Sequence, residues 1–157
     1  MEEPAEADHR DAMMTRIGQA VMLLHGGDRE EARTRFAALW AEIGEQGDPL
    51  HRCTLAHYMA DTQDDPEDEL AWDLRALRAA DALTPPGRSA GIRGFYPSLH
   101  LNLAAAYWKV GESRLARSHL ALARRASPAL AEDAYGDGVR AAIGRMELRL
   151  MGSDHLP

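Results

Sequence analysis

The apolar residues of this chain recur every three or four positions in short runs, and glycine or proline interrupts each run. Residues three or four apart share one face of an α-helix, so each run predicts an amphipathic helix. Alanine, leucine and arginine are abundant, whereas only 2 Phe and 4 Tyr occur, and this composition favours helix over sheet. The pattern predicts an all-α fold with seven helices.

The interruptions pair the first six helices into three hairpins. Gly26 and Gly27 end the first run, and Pro66 stands at a first helical turn, where its missing N–H costs nothing. Asp28 is followed by Glu31 three residues later, which predicts a capping box at the start of the second helix. The predicted hairpins cover residues 12–44, 50–83 and 97–127.

The remaining segments complete a single domain over residues 10–152, which suits a chain of 157 residues. An apolar stripe predicts a last helix at about 129–151 that caps the stack. The acidic segment 1–9 has no apolar period, so we expect it and residues 153–157 to be frayed tails. Residues 84–96 are rich in glycine and proline and predict the one long connection.

The charge and the composition of the chain exclude some classes of binding partner. The formal net charge of −7 argues against nucleic acid, because phosphate recognition needs a basic surface. No apolar run reaches the roughly 20 residues of a membrane span and no signal peptide is recognisable, so we expect a cytoplasmic protein without membrane contact. Residues 1–83 hold 19 acidic and 8 basic residues, whereas residues 84–157 hold 6 and 10. These opposite charges suit pairing between two copies, so a homodimer is an open alternative.

The third hairpin carries a family pattern. Its residues 97–128, PSLHLNLAAAYWKVGESRLARSHLALARRASP, resemble a tetratricopeptide repeat, which places small, aromatic, glycine and proline residues at fixed positions over 34 residues. His100 departs from the aromatic residue that is usual at its position. The resemblance extends more weakly over residues 13–128, and phrases such as GFYPSLHLNLA are similar to those of bacterial tetratricopeptide proteins. The matching positions are Leu103, Ala104, Tyr107, Gly111, Ala116, Leu120, Ala123 and Pro128.

The resemblance implies a short α-solenoid of three hairpins plus a capping helix, which binds a protein or peptide in the groove of its first, third and fifth helices. Asn102 stands where the family often has an asparagine that grips a peptide backbone, and Trp108 and Lys109 follow on the same helix. An equally open reading has Asn102 facing solvent or a neighbouring helix. Arg16 and Arg52 would contribute to a carboxylate clamp, but the set of basic residues is incomplete.

Two aromatic residues end the long connection. Phe95 and Tyr96 stand directly before Pro97 and the fifth helix. As an anchor, the rings pack back on the helices and fix the entry angle of the chain. As a lid, they lie across the groove and contact the ligand. We expect the anchor and keep both residues as candidate partner-binding residues.

The sequence contains no motif of an enzyme or of a cofactor site. His57 and Asp61 lie four residues apart and share a helix face, so they are weak candidates for a metal site or a small-molecule sensor. No third ligand follows from spacing, and Cys53 has no cysteine partner. We expect Cys53 to be a buried small side chain, and we expect neither catalysis nor a cofactor.

Overall fold

The computed structural model describes residues 4–83 and 93–154, with side chains from residue 12 to residue 152 outside the gap. These residues form helices and no strand, so the all-α prediction is confirmed. The helices are α1 (Pro4–His25), α2 (Arg29–Ile43), α3 (Pro49–Asp61), α4 (Pro66–Asp81), α5 (Tyr96–Lys109), α6 (Ser113–Ala126), a 3₁₀ turn (Ser127–Ala129) and α7 (Ala134–Asp154). Most of the predicted connection lies outside the described residues. No helix within the described part of the chain combines the length and the apolar character that crossing a bilayer requires.

Aspartate and proline together start two of the helices. Asp48 and Asp65 each accept a hydrogen bond of 2.9 Å from the backbone N–H two residues later. A proline follows each aspartate at the first helical turn, where its fixed φ suits a helix. Gly27 has a φ of 93°, a value that side chains disfavour, and it ends the turn between α1 and α2.

The starts of the first two helices differ from the predictions. The Asp28 side chain makes no capping hydrogen bond, and Glu31 pairs with Arg35, one turn later, at 3.1 Å. The first helix begins at Pro4, so residues 4–9 are helical and not a frayed tail. Proline at a first turn followed by alanines favours this helix although no apolar period marks it.

The last helix also differs from its prediction. It begins at Ala134 because Ser127–Ala129 form a separate 3₁₀ turn. Asp133 accepts a hydrogen bond of 2.8 Å from the backbone N–H of Gly136 and thereby serves the new helix start. The helix continues to Asp154, beyond the expected end at about residue 151.

The core consists of three clusters, each built by three consecutive helices. The first cluster surrounds Phe36 between α1, α2 and α3. The second lies between α3, α4 and α5 and includes Cys53, which is fully buried as predicted. The third lies between α5, α6 and α7. Each helix therefore packs mainly on its neighbours along the chain.

Small residues bring α5 and α6 together. Ala104 and Ala116 are both fully buried in the third cluster, and Tyr107 packs against it. These are the places where the sequence predicts a close helix crossing. His100 substitutes for the usual aromatic residue, since its ring stacks on His119 with 5.2 Å between the ring centres.

Candidate functional site

A hydrogen bond between α3 and α5 organises the candidate site. The amide Nδ2 of Asn102 lies 3.2 Å from Nδ1 of His57. An amide N–H can only donate, so Nδ1 accepts and the ring of His57 carries its proton on Nε2. Asn102 therefore binds a neighbouring helix, which was one of its two open readings.

The His57 ring is neutral at physiological pH. Burial disfavours the charged imidazolium and lowers the pKa of His57 to about 4. Phe95 and Tyr58 approach the ring edge-on, with 5.5 Å and 5.1 Å between the ring centres. Aromatic neighbours and a neutral ring together make an apolar surface with one N–H donor.

A pocket of about 320 Å³ opens beside this ring. Three segments of the chain surround it: α3, the residues just before α5, and the connection into α7. Aromatic and small apolar side chains make most of its wall, so it suits an apolar group. Its lining residues are His57, Tyr58, Gly94, Phe95, Ala129, Leu130, Ala131 and Tyr135.

Two tyrosines contribute the polar atoms of the pocket. The hydroxyls of Tyr135 and Ser98 share a short hydrogen bond between α7 and α5. Burial raises the pKa of Tyr58, and the nearby Asp61 and Tyr135 add to this effect. The Tyr58 phenol therefore stays protonated and can donate or accept a hydrogen bond.

No family model, curated protein or solved structure matches this chain. The likeness to tetratricopeptide repeats consequently rests on the residues of the third hairpin. The pocket must be interpreted from its own chemistry.

The other predicted residues of α5 have partners inside the protein. Lys109 donates to both carboxylate oxygens of Glu69 on α4, at 2.8 Å and 2.9 Å. Trp108 packs against the third core cluster, and Arg149 of α7 lies over its ring at 5.7 Å. Both side chains therefore join helices to one another.

The two predicted clamp arginines contact residues other than Asn102. Arg16 forms a two-pronged ion pair with Glu42 of α2, at 2.8 Å and 2.7 Å. Arg52 donates to the backbone oxygen of Gly44 and stacks over the ring of Trp40. Neither Arg16 nor Arg52 contacts Asn102, so these residues do not form a carboxylate clamp together.

The aromatic pair before α5 makes the contacts of an anchor. Phe95 packs against His57 and into the second core cluster. The hydroxyl of Tyr96 donates to Asp81 at the end of α4, at 2.9 Å. Phe95 also lines the pocket, so the anchor and the candidate site share one ring.

An acidic recess lies next to this site, at the meeting of α3, α4 and α5. Asp73 is only 4% exposed, and the carboxylates of Glu69 and Asp61 lie close enough to act on its charge. Burial, followed by the charges of Glu69 and Asp61, raises the pKa of Asp73 to about 8, and Lys109 lowers it by a smaller amount. Asp73 is therefore protonated at neutral pH.

His57 and Asp61 were weak candidates for a metal site, and the structure describes no third ligand beside them. No group of three or more histidine, cysteine, aspartate or glutamate side chains in the described part of the chain is arranged to hold a metal ion. The two side chains have different neighbours. His57 lines the pocket, whereas Asp61 interacts electrostatically with Glu69 and Lys109.

Two features of the site escaped the sequence analysis. Tyr135 lies at the start of the apolar stripe that predicts the last helix, but it is 54% exposed and forms part of the pocket wall. Asp73 was passed over, although it precedes Ala76 by three residues and Ala80 by seven on the buried face of α4. A charged residue at a buried position of a helix is unusual, and helical spacing alone could have identified Asp73 as one.

Proposed function

We propose that this chain is a tetratricopeptide-like adaptor that binds a protein or peptide, and that the pocket beside His57 holds an apolar side chain of the partner. Three successive helical pairs with cores shared between neighbours support the solenoid part of this proposal. The pocket supports the binding part.

The size and the lining of the pocket favour a single large side chain. A volume of about 320 Å³ is at the small end for ligand sites and accommodates one aromatic or branched aliphatic group. Aromatic walls provide apolar contact at low entropic cost, as in the anchor pockets of protein interfaces. The neutral ring of His57 adds an N–H donor for a backbone carbonyl of the same peptide.

The observation that carries the proposal is the partly buried, neutral His57 with Asn102 on one ring nitrogen. Asn102 fixes the orientation of the ring and the position of its proton. The asparagine then acts through His57 and does not touch the peptide itself. This role replaces the direct backbone contact that the family resemblance implies.

Selection from a phage-displayed library of random dodecapeptides on the immobilised full chain tests the proposal. We expect enriched peptides to share a large apolar residue and to bind at least about tenfold more weakly to Tyr135→Ala. Leu148→Ala is the matched control, because it removes an exposed apolar side chain from the same helix outside the pocket. Failure to enrich any peptide, or an equal loss in both variants, would refute the pocket assignment.

A further inference from the structure

A second cleft, separate from the pocket, lies between α2, α3 and α4. Its volume is about 620 Å³, and its wall combines two tryptophans with three arginines. Neither tryptophan nor any of these arginines lines the His57 pocket. The lining residues are Trp40, Glu45, Arg52, Trp72, Arg75, Arg78 and Ala79.

The tryptophans hold two of the arginines in place. Trp40 and Trp72 meet edge-to-face with 5.1 Å between the ring centres. The guanidinium of Arg52 lies 4.3 Å from the ring centre of Trp40, and that of Arg75 lies 4.3 Å from the ring centre of Trp72. Stacking on a rigid ring restricts a long side chain, so these two guanidinium groups are oriented before any ligand arrives.

The cleft is lined by three arginines and one glutamate, so positive charge is in excess. Among the described residues, Arg52, Arg75 and Arg78 form no ion pair. Glu45 lines the same cleft but forms no ion pair with any of the three among the described residues. Three arginines without carboxylate partners are conspicuous here, because residues 1–83 contain 19 acidic residues and only 8 basic ones.

We propose that this cleft binds a phosphate monoester, with the guanidinium groups of Arg52, Arg75 and Arg78 around its oxygens. A phosphate monoester carries close to two negative charges and three terminal oxygens, which suits several planar, forked donors better than a single carboxylate does. The tryptophan edges and Ala79 offer apolar contact to the group that carries the phosphate. The source of the phosphate is a small metabolite or a phosphorylated side chain, and the test distinguishes them.

Tryptophan fluorescence gives a direct signal. Trp40 and Trp72 line the cleft, whereas Trp108 packs between α5 and α7. Trp108→Phe therefore removes background without altering the cleft. The probes are phenyl phosphate, inorganic phosphate, and a hexapeptide containing phosphoserine, each titrated in phosphate-free buffer.

We expect a saturable fluorescence change and a rise in the melting temperature with phenyl phosphate, both weakened by added salt. Tighter binding of the phosphoserine peptide than of phenyl phosphate identifies a phosphoprotein as the source, and the reverse order identifies a small metabolite. The double variant Arg75→Gln/Arg78→Gln should bind at least tenfold more weakly.

The matched control is Arg114→Gln/Arg145→Gln, which removes the same charge from exposed positions outside both clefts. It should bind as the parent protein does. Absence of a saturable response to all three probes at millimolar concentration, or equal weakening in the two double variants, overturns the proposal.

Discussion

Replacing Asp73 by asparagine should change how the stability of the protein depends on pH. The Asp73 carboxyl is almost completely buried beside Glu69 and Asp61, and it keeps its proton at neutral pH. Asparagine has nearly the same shape and no charge, so Asp73→Asn imitates the protonated form without being able to ionise. The substitution therefore isolates the free energy that this one proton contributes.

The sign and size follow from the pKa of Asp73 in the two states. It is about 8 in the folded protein and about 3.8 for the ordinary carboxyl. A raised folded-state pKa contributes stability that is complete below pH 3.8 and is lost as the pH rises towards 8. The loss is about 1.4 kcal/mol for each pH unit within that window. Between about pH 5 and about pH 7.5 the wild type should lose roughly 3 kcal/mol relative to Asp73→Asn.

His57 acts in the opposite direction over part of this range. Its pKa is lowered from 6.5 to about 4, so its contribution to stability is complete above pH 6.5 and is lost as the pH falls towards 4. In the wild type the two contributions offset one another between pH 4 and 6.5, and the loss from Asp73 remains above that range. The Asp73→Asn protein should instead gain stability up to about pH 6.5 and then level off.

Urea unfolding followed by circular dichroism at a series of pH values measures these profiles. Asp68→Asn is the control, because it removes an exposed carboxyl from α4 outside the recess. Its effect on the free energy of unfolding should be small throughout. A constant difference between Asp73→Asn and wild type across the pH series would show that Asp73 is ionised in the folded protein, and the reasoning would fail.

Two further substitutions probe the surroundings of the pocket. Phe95→Ala should lower the free energy of unfolding by roughly 1–3 kcal/mol and the melting temperature by several degrees, because a half-buried ring is lost. Unchanged thermal denaturation would contradict the anchor. Asn102→Asp should raise the pKa of His57 by about one unit or more, since a carboxylate next to Nδ1 favours the imidazolium. An unchanged histidine titration by NMR would show that residue 102 does not face that nitrogen.

Local sequence signals predicted most helix positions because they act within one turn. Asp48 and Asp65 each stand before a proline, and both helices begin there. The start of α1 at Pro4 was missed because the apolar period begins only at Met13. The apolar period marks only the part of a helix that packs on other helices. A helix can extend beyond that part, so the period does not show where the helix begins.

The buried face of α4 shows why periodicity alone misplaces a core. The sequence points to the leucines at 70, 74 and 77, yet these are only partly buried. The fully packed line contains Asp73 and the alanines at 76, 79 and 80. Close helix contacts select small side chains, whereas large apolar residues fill the wider space at the margins.

The contacts of the candidate site join helices that are distant in the sequence, and spacing does not reveal these. Asn102 was assigned to the groove by the repeat pattern, but its partner His57 lies 45 residues earlier. Lys109 was a candidate for partner binding on the same helix, whereas Glu69, 40 residues earlier, binds it at two oxygens. The sequence identified Asn102 and Lys109 as candidate residues. Only the three-dimensional structure shows which side chains they contact.

The walls of the pocket come from α3 and α7, which pack in different core clusters. His57 belongs to α3, whereas Tyr135 begins α7, whose apolar residues lie in the third cluster. Local unfolding of α7 would consequently remove one wall and leave the other helices packed on their neighbours. A ligand in the pocket binds only the state in which α7 is docked, so it slows hydrogen exchange in a helix far along the chain from His57. Ligand binding beside His57 on α3 would thus stabilise the C-terminal helix against local unfolding without any movement of the helices between them.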